Sequence, residues 1–101
     1  MAVEPLDLRL VWALLAVAEE QSITRAAARL YVSQQTLSAQ IQRLERVLGV
    51  ELLSRSPRGV TLTAAGRELV AYGSGLSTEL DELVVRLRAV AAAEEGTMLP
   101  A

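Results

Sequence analysis

Apolar residues recur at intervals of three and four over three successive stretches of the chain, and this is the periodicity of amphipathic α-helices. A short alanine-rich helix is predicted over residues 23–30, with Ser22 or, as second choice, Thr24 as its N-cap. Before it, the pattern predicts a buried scaffold helix over residues 6–20, whose stripe contains Leu10, Leu14 and Val17.

The third stretch, residues 33–48, begins after a brief interruption at residues 31–32. Ser33 is a good N-cap, and Gly49 can adopt the left-handed conformation that ends a helix. Two helices joined by so short a turn form a helix-turn-helix pattern. The buried stripe of this third helix is predicted to contain Leu37, Ile41, Leu44 and Leu48.

The opposite side of the third helix is polar or small and carries almost no charge. Glutamine amides both donate and accept hydrogen bonds, so such a face can read the edges of DNA bases. The alternative is that these side chains merely solvate a surface helix, and this segment alone does not decide between the two. The face contains Gln34, Gln35, Ser38, Ala39 and Gln42.

Residues 51–62 predict a small β-hairpin. The sequence Ser-Pro-Arg-Gly at residues 56–59 has the preferences of a type I turn, and residues 51–55 and 60–62 on either side are compatible with strands. A two-stranded hairpin is marginal by itself in water, so it must lean on the helices as a wing. Arg55 and Arg58 would then meet a DNA backbone, unless they are ordinary solubilising residues.

A last helix is predicted from residue 64 to about residue 93, with Thr63 as its cap. Its apolar residues follow the spacing of a coiled coil, and a helix of about 30 residues extends roughly 45 Å, which is more than this domain can cover. We therefore predict a homodimer through this linker helix. A fold-back at Gly73-Ser74-Gly75 is the alternative, and we favour a long helix that is locally weakened there. The predicted dimer residues are Leu69, Leu76, Leu80, Leu83, Leu87 and Val90.

Charge is distributed unevenly along the chain, although the net charge is only -2. Residues 22–67 contain seven arginines and two glutamates, an excess of five positive charges. Residues 68–101 contain two arginines and six acidic residues. The basic part surrounds the third helix, which favours an interaction of that helix with nucleic acid.

Composition excludes several function classes. The chain has neither cysteine nor histidine, so disulfides, thiol nucleophiles, imidazole bases and nearly every zinc site are absent. We predict no enzyme activity, no cofactor and no metal site. The apolar run at residues 10–18 is too short to span a bilayer and follows Glu4 and Asp7, unlike an export signal. We therefore expect a cytoplasmic protein without a membrane partner.

A set of motif residues follows in fixed order from the second helix to the start of the last one. Through them the chain resembles the N-terminal DNA-binding domain of LysR-type transcriptional regulators, over about residues 6–90. The resemblance implies a mostly α fold: a winged helix-turn-helix with a small β-hairpin wing and a long C-terminal dimerisation helix. The motif residues are Ala26, Ala27, Leu30, Ser33, Gln34, Leu37, Ser38, Gln40, Ile41, Leu44, Glu45, Leu48, Gly49, Leu52, Arg55, Leu62, Thr63 and Gly66.

The resemblance also implies roles for individual residues. The third helix would lie in the major groove of double-stranded DNA and the wing, residues 52–62, on its backbone. The predicted base contacts are Gln34, Gln35, Thr36, Ser38 and Ala39. The predicted backbone contacts are Ser33, Gln42, Arg43, Arg55, Arg58 and Thr24.

Three residues depart from the family pattern and affect how far these roles transfer. Gln35 stands where many relatives have proline, Ala39 where many have a basic or larger polar residue, and Leu53 where phenylalanine is usual. Ala39 removes a contact to base or phosphate, so the target sequence cannot be taken from a relative.

The domain organisation predicted from these elements is a DNA-binding domain over residues 1–63 and a linker helix over residues 64–93. Residues 94–101 would be a frayed tail or a severed linker to an absent effector domain, and we expect no small-molecule ligand in this fragment. The predicted function is sequence-specific DNA binding as a dimer for transcription regulation. The alternative is a protein-interaction module that dimerises through the same helix.

Overall fold

The computed structural model describes residues 6–95 and confirms the predicted fold class, four helices and a two-stranded antiparallel hairpin. The elements in chain order are α1 (Leu8–Glu20), α2 (Ile23–Leu30), α3 (Gln34–Leu48), β1 (Leu53–Ser56), β2 (Gly59–Leu62) and α4 (Ala64–Glu94). The parts of the predicted DNA-binding domain and tail at residues 1–5 and 96–101 lie outside the described residues.

Side-chain caps set the start of each helix. The hydroxyls of Ser22, Ser33 and Thr63 accept hydrogen bonds from backbone N–H groups of the first turn, as predicted, and Thr24 lies inside α2. The start of α1 was predicted two residues too early: the Asp7 carboxylate accepts from the Arg9 N–H, which makes Asp7 the cap and Leu8 the first helical residue. At the other end, α4 continues to Glu94, one residue past the predicted end.

An aliphatic core joins the first three helices. Leu14 on α1 packs with Leu37, Ile41 and Leu44 on α3, and all four side chains are fully buried. Ala26 and Ala27 bring α2 close, because their small side chains are also buried in this cluster. Burial of each large aliphatic side chain stabilises the fold by about 1.5–3 kcal/mol. The core therefore fixes the side of α3 that faces inward, and with it the side that faces out.

The wing is tied to α3 and α4 just before its first strand. The Glu45 carboxylate on α3 accepts the N–H of Leu52 at 2.8 Å, and the Leu52 carbonyl accepts the N–H of Thr63 at 3.0 Å. The Thr63 hydroxyl also donates to the Glu51 carbonyl oxygen, so the backbone of residues 51–52 is engaged outside the hairpin. For this reason β1 starts at Leu53, two residues after the start of the stretch that the sequence indicated as compatible with a strand. The strands pair from Leu53 with Leu62 to Ser56 with Gly59.

Helix α4 runs without interruption through Gly73-Ser74-Gly75, which confirms the long helix and excludes the fold-back. Its only buried residues are Gly66 and Gly73, both in its first third. The described chain measures 61 × 37 × 22 Å with a radius of gyration of 17.8 Å, well above the roughly 13 Å of a compact chain of 100 residues. The second half of α4 therefore projects from the domain as an arm.

Candidate nucleic-acid interface

The outward side of α3 carries the side chains that the sequence pattern predicted as base readers. Because Leu37, Ile41 and Leu44 point into the core, the residues opposite them are held outward. Ser38 is half-buried at the edge of this face. The exposed members of the predicted set are Gln34, Gln35, Thr36, Ala39, Gln42 and Arg43. Gln34, Gln35 and Thr36 are thus all exposed in the first turn of α3, where consecutive side chains project about 100° apart.

Ser33 is already engaged at the start of α3. Its hydroxyl accepts the N–H of Thr36 at 3.0 Å and donates to the Thr36 hydroxyl at 2.9 Å. The predicted contact of Ser33 with a phosphate oxygen would have to break the second bond, because the phosphate oxygen accepts and the hydroxyl has a single hydrogen to donate. The amide hydrogens of the first turn also carry partial positive charge, so the start of α3 favours an anion.

The turn before α3 exposes an aromatic side chain, Tyr31, for which the sequence pattern predicted no role in binding. Tyr31 ends α2 in the left-handed conformation, with φ of 58°, and its side chain is 95% exposed. Only its backbone is used by the fold: the Tyr31 N–H donates to the Ala28 carbonyl oxygen at 3.2 Å. Thr24, the predicted backbone contact on α2, is exposed as well.

Two arginines of the basic segment are neutralised by α1. The Arg29 guanidinium lies 2.6 Å from a Glu19 carboxylate oxygen, and Arg25 pairs with Glu20 at 3.9 Å. The hydrogen bond to Glu19 raises the pKa of Arg29 above its ordinary value. Counting Glu19 and Glu20 reduces the local excess of positive charge from five to three. The sequence window missed this pairing because both glutamates precede it.

Three further arginines of the basic segment lie on α3 or on the wing. Within the described residues, no carboxylate lies within ion-pair distance of Arg43, Arg55 or Arg58. Arg55 on β1 reaches back to α3, where its guanidinium lies 3.4 Å from the Ser38 hydroxyl. Arg58 is exposed at the tip of the hairpin. The wing therefore places one cation against α3 and another beyond it.

A groove between the start of α1 and α3 is a part of this surface that no local pattern indicated. Its walls carry Asp7 and Arg9 on one side and Thr36, Arg43 and Arg46 on the other. Asp7 and Arg9 form a closed pair, with guanidinium nitrogens 3.2 and 3.0 Å from the carboxylate oxygens. This hydrogen bonding lowers the pKa of Asp7, and the charge of Arg43 adds a smaller effect in the same direction.

The predicted dimer stripe divides into two parts. Leu69 is partly buried against the core of its own domain, and Leu76 is half-buried. Leu80, Leu83, Leu87 and Val90 are 37%, 39%, 57% and 57% exposed. The exposed part is an apolar surface on the projecting arm, and such surfaces on small proteins mark interaction sites.

Within residues 6–95, no group of three acidic, histidine or cysteine side chains is arranged to hold a metal ion. No helix in the same range is long and apolar enough to cross a membrane.

Comparison with known proteins places these features in a family context. Residues 8–67 match the family model of bacterial regulatory helix-turn-helix proteins, lysR family. The chain is 41% identical over 93 residues to the uncharacterized HTH-type transcriptional regulator YnfL of Escherichia coli, which covers 92% of this chain and 31% of YnfL. It is 39% identical over 90 residues to the HTH-type transcriptional regulator BenM of Acinetobacter baylyi, which covers 89% of this chain and 30% of BenM. The chain thus spans about a third of the length of the curated relatives that it matches.

Solved structures give the same picture of the fold. The crystal structure of the BenM DNA-binding domain with catB site 1 DNA matches with a TM-score of 0.80 and 40% identity, covering 84% of this chain and 96% of that one. The CbnR DNA-binding domain in its DNA complex matches with a TM-score of 0.78 and 40% identity, covering 84% and 98%.

Proposed function

This chain belongs to the lysR family of bacterial regulatory helix-turn-helix proteins, and from that premise we propose that it binds double-stranded DNA sequence-specifically, as a homodimer, to regulate transcription. The observation that carries the proposal is the first half of α3, where two glutamines and Thr36 are exposed and the wing arginine Arg55 lies 3.4 Å from Ser38. Relatives with 40% identity have been crystallised as DNA complexes, which supports the same role here.

In this proposal α3 enters the major groove and its first turns read base edges. A glutamine amide can form a bidentate pair with adenine N6 and N7, and the Thr36 methyl can pack on the methyl group of thymine. Each good contact discriminates by about 1–3 kcal/mol. Ala39 offers only a methyl group, so specificity rests on a few contacts. Base contacts are assigned to Gln34, Gln35, Thr36, Ser38 and Ala39.

Arginine contacts with phosphate supply most of the affinity and fix the register of α3 on the duplex. Arg43 lies on the exposed face of α3, and Arg58 extends beyond it at the tip of the wing. Arg55 is close enough to Ser38 on α3 to contact either a phosphate or the edge of the DNA groove that α3 enters. If each domain neutralises about three phosphates, dimer affinity should fall about a thousandfold between 50 and 200 mM salt.

Dimerisation would use the projecting arm, residues 77–94, with a DNA-binding head over residues 6–63. Leu80, Leu83, Leu87 and Val90 form the seam in this proposal, while Leu69 serves mainly the core of its own domain. A dimer reads two half-sites and would select a pseudo-palindrome. Since the target is chromosomal DNA, the site of action would be the bacterial cytoplasm.

The decisive experiment is selection of bound sequences from a random DNA pool with the 101-residue chain, followed by binding measurements on the selected site. We expect an inverted repeat. Gln34→Ala should weaken binding to that site about fivefold to a hundredfold while leaving binding to unrelated DNA nearly unchanged. Arg58→Ala should weaken both kinds of binding to a similar degree.

Equal losses for both variants on every DNA sequence would contradict the assignment of α3 as the reading helix. A folded dimer with no detectable, salt-dependent DNA binding would contradict the function itself and favour a protein-interaction role.

A further inference from the structure

Helix α4 docks on the rest of the domain through its first third, where Ala65, Leu69 and Val70 pack against the core and only Gly66 and Gly73 are buried. A Cβ atom at Gly66 would lie 2.2 Å from the carbonyl oxygen of Leu52, so the helix backbone rests directly on the base of the wing there. Seven residues later, a Cβ atom at Gly73 would lie 2.9 Å from Leu15 Cδ1 and 3.1 Å from Val11 Cγ1. Seven residues are nearly two turns, so both glycines are on the same side of α4.

The two contacts define the direction of the arm. One point of contact would allow α4 to tilt, whereas two points about 10 Å apart along its axis fix the tilt relative to α1 and the wing. Beyond Gly73 the helix continues for about 31 Å to Glu94, and this portion includes the apolar seam. A small change at Gly73 is therefore magnified at the far end.

We infer that Gly73 is a positioning residue that sets the angle between the DNA-reading head and the arm, and thereby the distance between the two reading helices of a dimer. The inference rests on the proposed dimer but not on DNA binding. It identifies Gly73, a position outside the family-model match at residues 8–67, as a determinant of half-site spacing.

The size of the shift that an added Cβ at Gly73 would cause follows from the contact distances. Carbon atoms pack at about 3.5–4.0 Å, so an added Cβ would push α4 away from α1 by about 0.5–1 Å. With Gly66 as pivot, this is a tilt of about 3–5°, which moves the end of the arm, about 42 Å from the pivot, by roughly 2–4 Å. Two arms tilt in a symmetric dimer, so the heads would shift by about 4–8 Å, or one to two base pairs at 3.4 Å each.

The added atom at Gly73 would meet the ends of two side chains that pack in the core. Val11 is 2% exposed and β-branched, so its Cγ1 can withdraw only by a change of rotamer inside the core. Leu15 is 9% exposed and supplies two of the three nearest atoms. By contrast, a Cβ at Gly75, two residues further along the same helix, would meet nothing within 4 Å. Gly75→Ala is therefore a matched control.

The test measures the distance between the two heads of the dimer in solution. The chain has no cysteine, so Ala28→Cys on the exposed side of α2 provides a single attachment site for a spin label. Pulsed dipolar spectroscopy on the labelled 101-residue chain then gives the head-to-head distance. We expect Gly73→Ala to shift the main distance by about 3 Å or more and Gly75→Ala by less than about 1 Å.

A second variant separates positioning from general disturbance. Leu15→Ala removes the nearest atoms, so the double variant Leu15→Ala/Gly73→Ala should recover at least about half of the shift. In DNA selection with variable spacers, Gly73→Ala should move the preferred half-site spacing by about one base pair, with the half-site sequence unchanged.

Each outcome supports or overturns the positioning role of Gly73. Equal distances for wild type, Gly73→Ala and Gly75→Ala would overturn the inference, and so would equal shifts in both variants or a Gly73→Ala chain that does not fold. A wild-type chain that sediments as a monomer would overturn both this inference and the proposed dimer. A wild type that dimerises but ignores DNA would contradict the proposed function alone, because the spectroscopic distances still test Gly73.

Discussion

At the scale of single residues, Glu45 shows how one side chain couples recognition helix and wing. It lies in the basic segment, where a negative charge would oppose DNA binding, yet its carboxylate accepts the N–H groups of Leu52 and Leu53 at 2.8 and 3.4 Å. These amides lie at the entrance of the wing, and Leu52 is 1% exposed. The carboxylate therefore serves to hold the wing, and with it Arg55, against α3.

Removal of this carboxylate should destabilise the domain. Glu45→Ala leaves the buried Leu52 N–H without its acceptor, which costs about 1–3 kcal/mol in the free energy of unfolding. Urea unfolding measures this loss. Glu51→Ala is the control: this exposed carboxylate takes part in no ion pair in the described part of the chain, and its removal should change stability by less than about 0.5 kcal/mol. Similar stability of the two variants would show that the wing does not depend on Glu45.

Asp7 predicts a pH dependence at the start of α1. Hydrogen bonds from Arg9 lower the pKa of Asp7 in the folded state, so its stabilising contribution is complete above the unfolded-state pKa and is lost as pH falls through the folded-state pKa. The melting temperature of Asp7→Asn should therefore be lower than that of wild type above about pH 5, and the difference should shrink toward pH 2. The same comparison in an Arg9→Ala background should show little pH dependence, since the partner is gone. A difference that persists unchanged at pH 2 would contradict this account.

At the scale of elements, α4 contains two glycines that are only two positions apart but lie in different environments. Gly73 is buried against Leu15 and Val11, whereas Gly75 faces open space. Both lower the intrinsic stability of the helix, but only at Gly75 is this cost without a packing reason.

Gly75→Ala should consequently stabilise the chain. Alanine is favoured over glycine inside a helix by about 0.8–1.0 kcal/mol, and at Gly75 no neighbour opposes the added methyl group. Gly73→Ala gains the same helical propensity but clashes with Leu15, so it should gain less or lose stability. Thermal unfolding of the two variants at one protein concentration compares them. Equal stabilisation by both would mean that the contact at Gly73 yields without cost.

At the scale of the whole molecule, the length of the chain along its main axis, 61 Å, reflects an arm that has no partner within the chain. Its apolar side chains are exposed, and their burial is the natural driving force for pairing of two arms. Two heads held by one seam would bind DNA with much higher affinity than one head, because the second contact is then intramolecular.

A charge placed in this seam should produce monomers. Leu83→Asp would bury a carboxylate between the arms, which is strongly unfavourable without a partner. Val85→Asp is the matched control, because Val85 lies on the opposite side of α4 and is 66% exposed. Sedimentation velocity should show monomers for the first variant and dimers for the second. A dimer that survives Leu83→Asp would place the interface elsewhere.

The sequence alone determined the helices, their caps and the wing, because these depend on local patterns: apolar spacing, Ser or Thr before a helix, and Ser-Pro-Arg-Gly in a turn. It also determined which side of α3 faces outward, since Leu37, Ile41 and Leu44 must be buried. Errors were confined to element ends, such as residues 51–52, where hydrogen bonds to distant residues replaced strand pairing.

Only the tertiary structure decided which arginines remain unpaired within the described residues and in which direction the arm projects from the domain. The pairing of Arg29 with Glu19, the hold of Glu45 on the wing and the contact of Gly73 with Leu15 join residues that are 10, 7 and 58 positions apart. No periodicity links such positions. Each depends on how helices cross in three dimensions, and the crossing is set by core packing rather than by local sequence.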